Sequence, residues 1–168
     1  MMANVGKVLV TGATGNTGSL LVPALRSAGV QVRAFVRNAS KAQPLKDVGA
    51  EIVVGDLDQP ETIAPAVQGV DKIYLLTWNG PTQAQQAQKV IEAAQRAGNP
   101  HIVRHSMWGS ERSRIVQQGN QVEEMVRSSG LPWTMLRPTF FMQNTILAAQ
   151  TIASDGAIYW DMGGGRLG

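Results

Sequence analysis

The sequence predicts an α/β protein, a doubly wound (Rossmann-like) parallel sheet of about six strands with helices on both faces. Three observations point there. Short apolar runs alternate with helical patterns along almost the whole chain. A glycine-punctuated turn, Thr11–Gly18 (TGATGNTG), lies between the first apolar run and the first helix. Composition is that of an ordinary globular chain: 168 residues, 43% hydrophobic and no cysteine. The lack of cysteine excludes a disulfide framework and a thiolate zinc site.

Each element has its own signal. Lys7–Val10 reads as a buried strand, and Ser19–Ala28 as a helix that Gly29 stops. Val30–Val36 is the second strand. Ser40 and Gln43 have capping-box spacing and open a short helix that ends near Gly49. Glu51–Val54 is the third strand. Asp58, Pro60 and Glu61 begin a helix that stops at Gly69. Asp71–Thr77 is the fourth strand, and the Gln- and Ala-rich stretch Pro81–Ala97 a long helix. His101–Ser106 is the fifth strand, Gln117–Ser129 a helix, Trp133–Arg137 the sixth strand, and Phe140 to about Ala153 a last helix. Pro23, Pro44 and Pro65 fall inside expected helices, where each removes an N–H donor. Residues 1–153 are expected to form one dinucleotide-binding domain. Residues 154–168 are expected to be a glycine-rich tail, in which Ala157–Trp160 reads as one more short strand.

The glycine turn carries the chemistry. A diphosphate must approach backbone N–H groups at a helix N-terminus, where unpaired donors and the helix dipole favour an anion. A Cβ on that approach would block it. The spacing is Gly12-x-x-Gly15-x-x-Gly18. Thr11 and Gly18, at the two ends of the turn, are expected to bind the cofactor with it, and Thr14, Asn16 and Thr17 either add donors for the phosphates or cap the helix. The end of the second strand reads the adenosine ribose: an acid there selects NAD, an arginine accommodates a 2′-phosphate. Arg37 stands there with no acid between Val32 and Ser40, so NADP(H) is favoured over NAD(H). Asp56 and Leu57 follow the third strand, where they either meet an adenine or organise the turn. Thr77–Gly80 and Ser106–Gly109 lie at the carboxyl edge, where open α/β sheets bind ligands. Trp78, Ser106 and Trp108 are therefore candidate substrate residues. His101 and His105 have no metal-ligand partners in the pattern and read as core or surface residues, and no catalytic residue or carboxylate pair stands out.

The formal net charge is +3. The arginines (Arg33, Arg37, Arg96, Arg104, Arg127, Arg137) are spread singly and read as solvated, so direct nucleic-acid binding is not expected. No apolar run approaches the ~20 residues that span a bilayer, and a cytoplasmic location is expected.

Val10–Gly18, Val36-Arg37, Gly55–Leu57, and Ser129–Pro138 (SGLPWTMLRP) followed by Phe141–Asn144 (FMQN) together resemble the NmrA-like group. These are atypical short-chain dehydrogenase/reductase relatives that include NAD(P)H-dependent quinone reductases and redox-sensing regulators. The resemblance implies that Gly12, Thr14, Gly15, Asn16, Thr17, Arg37, Asp56, Leu57, Leu76 and Thr77 touch the cofactor. It has one gap. The Tyr-x-x-x-Lys proton-donor pair of the wider superfamily is absent: neither Tyr74 nor Tyr159 has a lysine four residues later. Such relatives also continue into a lobe that covers substrate, and residues 154–168 are expected to be the approach to it. Two readings follow: an NADPH-dependent reductase of a small electrophile such as a quinone, or an NADP(H)-binding redox sensor that reports to a regulatory protein partner.

Overall fold

The computed structural model describes residues 5–139 and 141–158. The chain divides into two compact units, 1–138 and 139–168.

In the first unit, six strands form one parallel sheet: β1 (Lys7–Val10), β2 (Gln31–Val36), β3 (Glu51–Val54), β4 (Lys72–Leu75), β5 (His101–His105) and β6 (Trp133–Leu136). Their order is β3-β2-β1-β4-β5-β6. The order reverses between β1 and β4, and the carboxyl ends of the strands there flank a crevice. The helices of this unit are α1 (Gly18–Ser27), α2 (Gln43–Asp47), α3 (Pro60–Val67), α4 (Gln83–Arg96) and α5 (Arg114–Ser128).

Side-chain alternation divides the core in two. Leu9, Ile73, Leu75 and Ile102 point to one face and pack with Ile63 of α3, Val90 of α4 and Val122 of α5. Val8, Val10, Val32, Ala34 and Tyr74 point to the other, beneath Val22 of α1 and Leu45 of α2. Both faces of a parallel sheet are covered in this way, so its strands read as continuous apolar runs.

Several boundaries differ from the sequence reading. The turn that leads into α2 is capped by Asn38, whose side chain accepts from the Ser40 N–H at 2.9 Å and from the Ser40 hydroxyl at 2.8 Å, while α2 itself follows Ala42. Ser40 is thus the partner of the cap and not the cap itself, and Ala39–Ala42 is a 3₁₀ turn. Pro44 falls in the first turn of α2, where its missing N–H costs nothing, while Pro23 and Pro65 lie inside α1 and α3. Helix α3 begins at Pro60, after Gln59 at its cap position rather than at Asp58. Strand β4 ends at Leu75, and α5 starts at Arg114, one turn before the expected start. Gly29, Gly49 and Gly69 do stop their helices, each with φ between 66° and 80°.

In the second unit, the expected last helix is a 3₁₀ segment, Met142–Ala148, followed by α6 (Ala149–Asp155), which ends at Gly156 in the left-handed conformation. Tyr159, Trp160 and the glycine-rich stretch after them lie outside the described residues.

Candidate functional site

The glycine turn joins β1 to α1 at the reversal of strand order. Its three glycines differ in what the turn requires of them. Gly12 has φ +64°, a conformation that disfavours any side chain. A Cβ on Gly18 would sit 2.3 Å from the Gly12 carbonyl oxygen and 2.6 Å from the Ala13 Cα, so the third glycine lets the helix close on the turn. Gly15 has an ordinary φ, and a Cβ there would meet only the Gly12 carbonyl, at 3.3 Å. Its outward side is open, and Thr14, Gly15 and Asn16 are all exposed. Turn geometry thus accounts for the first and third glycines and does not by itself require the second. The cradle fits a diphosphate on these grounds. Thr17 is the cap residue of α1, yet its side chain makes no capping hydrogen bond, so its hydroxyl is not committed to the helix.

Thr11 stands apart from the rest of the turn. It is 1% exposed, its hydroxyl donates to the Leu76 carbonyl at 2.8 Å and accepts from the Leu76 N–H at 2.8 Å. Its own N–H donates to the Tyr74 carbonyl at 3.1 Å. It therefore ties the end of β1 to β4 and presents no donor to the crevice. Leu76, half-buried, packs on the core beneath α1 and also lies within 3.1–3.2 Å of where a Gly12 Cβ would be.

Arg37 is exposed just past the carboxyl end of β2 and makes no hydrogen bond or ion pair with any described residue. The Asn38–Ser40 hydrogen bonds hold the loop beside it. Asp56 follows β3, and one of its carboxylate oxygens accepts from the Asp58 N–H at 3.0 Å. Its carbonyl accepts from the Gln59 N–H at 2.9 Å and from the Thr62 hydroxyl at 2.9 Å. Of the two roles open to Asp56, the turn-organising one is visible in the structure. Leu57 packs inward against the core rather than standing free at the edge.

Past β4 and β5 the candidate residues separate. Trp78 is 72% exposed, and its ring lies over Gly80. Trp108 is 69% exposed and lines a cavity of about 380 Å³ with Met107, Val116, Asn120, Glu123 and Arg137. Trp78 does not line it. Ser106 is buried at the end of β5, with its hydroxyl towards Gly119 of α5. Thr77 is buried, and its hydroxyl accepts from Arg104.

Two residues at this edge escaped the sequence reading. Arg104 is not solvated: it is 1% exposed, and its Nη1 donates to the Leu75 carbonyl and the Thr77 hydroxyl, each at 3.2 Å. Its Nε has no partner among the described residues. Burial lowers its pKa to about 10, so it stays charged at neutral pH. The signal was available in the strand pattern, since Arg104 shares a face with Ile102 two residues before it. Glu123 of α5 is also 1% exposed as a side chain. It accepts from Arg137 Nε at 2.8 Å, from Arg137 Nη2, and from Arg127 Nη2 at 2.6 Å. The Arg137 hydrogen bond, working against burial, holds its carboxyl at about 2. The i,i+4 pair with Arg127 is legible in the sequence, but Arg137 arrives from β6 through the fold alone.

Tyr74 and His105 meet on the other face, hydroxyl to Nδ1, at 2.5 Å. Burial raises the tyrosine pKa and lowers that of the histidine, to which the Arg104 charge adds. His101 Nε2 lies 2.9 Å from the Thr134 hydroxyl. Both histidines are thus partnered within the sheet. Among the described residues no group of three or more His, Asp or Glu side chains is placed to hold a metal ion, and no helix is long and apolar enough to cross a membrane.

Comparison with known proteins bears on this geometry. A family model described as NAD(P)H-binding matches residues 12–158. An NAD(P)H azoreductase of Xenophilus azovorans is 37% identical over 163 residues, covering 95% of this chain and 57% of that protein. The solved structure of an NADPH-dependent quinone oxidoreductase from Escherichia coli in complex with NADPH has a TM-score of 0.80 at 30% identity, covering 89% of this chain and 54% of that one. A structure of mutant NmrA, at 24% identity and a TM-score of 0.68, shares the fold. The chain spans a little over half the length of the first of the curated relatives it matches.

Proposed function

The chain belongs to the NAD(P)H-binding family, and from that premise we propose that it binds NADP(H) at the glycine turn and serves the reduction of a small electrophile such as a quinone. The observation that carries the reading is the cradle itself. Two glycines are consumed by turn geometry, a third is left open, and all three stand at the head of α1 where the strand order reverses.

In this reading the backbone of residues 12–18 and the free hydroxyl of Thr17 hold the diphosphate. Arg37, which has no partner among the described residues, takes the 2′-phosphate by its bidentate fork, which selects NADP(H) over NAD(H). Asp56 sets the loop beside the adenosine half. Thr77 and Ser106 line the edge that the other half must cross, and Trp108 offers a flat apolar face beside it. The bound cofactor supplies a hydride, and the protein supplies position and electrostatics. The first relatives support this assignment by their printed names, a reductase and an oxidoreductase that use NAD(P)H or NADPH.

One observation favours a second reading, a sensor of cofactor redox state without turnover. The Tyr74 hydroxyl is engaged with His105, and no lysine stands four residues after it. A quinone can take its proton from water, so the reductase reading survives this gap. Calorimetric titration with NAD, NADP and their reduced forms tests the site. Steady-state NADPH oxidation with a quinone panel separates the two readings. Tight NADPH binding with no oxidation of any quinone refutes the reductase and leaves the sensor.

A further inference from the structure

We propose that Arg104 makes this site discriminate between cofactor redox states, favouring NADPH because its buried positive charge opposes the cationic nicotinamide ring of NADP⁺ and not the neutral reduced ring. The inference rests on reading the crevice as a dinucleotide site.

The placement follows from the topology. If the diphosphate sits at the head of α1 and the adenosine half runs towards Arg37 and Asp56 on the β2–β3 side, the nicotinamide half must run the other way, over β4 and β5. Arg104 lies under that edge. It projects from β5, and its guanidinium is fastened to the last residue of β4 and to Thr77 beyond it.

Its charge is not cancelled locally. Among the described residues no carboxylate pairs with it at salt-bridge distance; the carboxylate that attracts it, Glu123, is hydrogen-bonded to Arg137 and Arg127. Arg127 also pairs with Glu124 at 3.5 Å, so three guanidiniums and two carboxylates leave this cluster with one net positive charge. Tyr74 and His105, on the opposite face, are neutral at pH 7 and offset nothing. A charge with 1% exposure is screened little by salt. The partnerless Nε adds to the cost of keeping the guanidinium there, and a costly buried charge at a ligand-binding edge is a recurrent mark of a functional group.

The size of the effect can be bounded. Two like unit charges about 10 Å apart, at an effective dielectric of about 20, change a binding ratio roughly tenfold. The same discrimination would keep a reductase loaded with reduced cofactor and would let a sensor read the NADPH/NADP⁺ ratio.

The test is titration of the full chain with NADPH and with NADP⁺ in matched buffers, repeated with Arg104→Met and Arg104→Lys. The wild type is expected to favour NADPH about tenfold. The methionine variant should bring the two affinities within about threefold, and the lysine variant should keep the preference because it keeps the charge. Equal affinities in the wild type overturn the inference without any variant, so the test stands even if Arg104→Met does not fold. A full preference retained by a folded Arg104→Met also overturns it. If neither form binds the wild type, the dinucleotide-site reading itself fails, a result distinct from equal binding.

Discussion

Replacing Gly18 by alanine and, separately, Gly15 by alanine should have opposite consequences. At Gly18 the added Cβ lies 2.3 Å from the Gly12 carbonyl oxygen, 2.6 Å from the Ala13 Cα and 2.8 Å from the Ala13 carbonyl carbon. All three are backbone atoms of the turn, so no side chain can swing aside; the turn or α1 must move. Overpacking of this kind costs about 1–3 kcal/mol, and the all-backbone contact puts this case at the upper end. With a urea m-value of about 2 kcal/mol/M, the midpoint should fall by about 1 M or more. At Gly15 the added Cβ meets one atom at 3.3 Å with an ordinary φ, so stability should stay within about 0.5 kcal/mol. That Cβ would stand where a diphosphate approaches the backbone, so NADPH affinity should drop tenfold or more, at least ~1.4 kcal/mol. Urea denaturation and fluorescence titration of both variants measure the two effects. A Gly15→Ala variant that binds NADPH as the wild type does would refute the assignment of the open glycine. A Gly18→Ala variant of unchanged stability would refute the steric argument.

Arg37→Ala should weaken NADPH binding by roughly 10–100-fold, the worth of about 1.5–3 kcal/mol for a charge-assisted fork, and leave NADH binding unchanged; equal loss for both cofactors would remove Arg37 from a 2′-phosphate role. The Glu123 carboxyl, held at about 2 in the folded chain against an ordinary 4.5, contributes stability that is present above pH 4.5 and lost as pH falls towards 2. The contribution is of order 3 kcal/mol. Glu123→Gln should therefore show a shallower loss of stability than the wild type between pH 5 and pH 3, and parallel pH profiles would contradict the pairing. Thr11→Val removes both hydroxyl hydrogen bonds to Leu76 and leaves a backbone N–H unpaired, so it should cost about 1–3 kcal/mol by chemical denaturation. A neutral result would mean that β1 and β4 are held together at this edge without it.

The phosphate end of the site was legible in the sequence because its requirements are local. A strand, a turn that only glycine can make and a helix start are consecutive residues, and Arg37 follows its strand by one position. The apolar runs also placed β1 and β3 to the residue; β1 is buried as such a run implies, while β3, at the edge of the sheet, keeps its run with Glu51 and Val54 exposed. Less was legible where a residue's partner is distant in the chain. Thr11 reads as the lead-in to the turn, and only the fold shows its hydroxyl bonded to Leu76 and its N–H to Tyr74 of β4. Leu57 reads as an adenine contact, and the fold adds that it is half-buried against the core. Arg104 reads like a solvated arginine until β4 and α5 close over it.

What the sequence determined by itself was the fold class and the phosphate cradle, both encoded in short-range pattern and backbone conformation. The tertiary structure decided which polar groups are spent inside the sheet, and where a buried charge lies. Burial and partnership depend on residues that only the folded chain brings together, up to 65 positions apart in the case of Thr11 and Leu76.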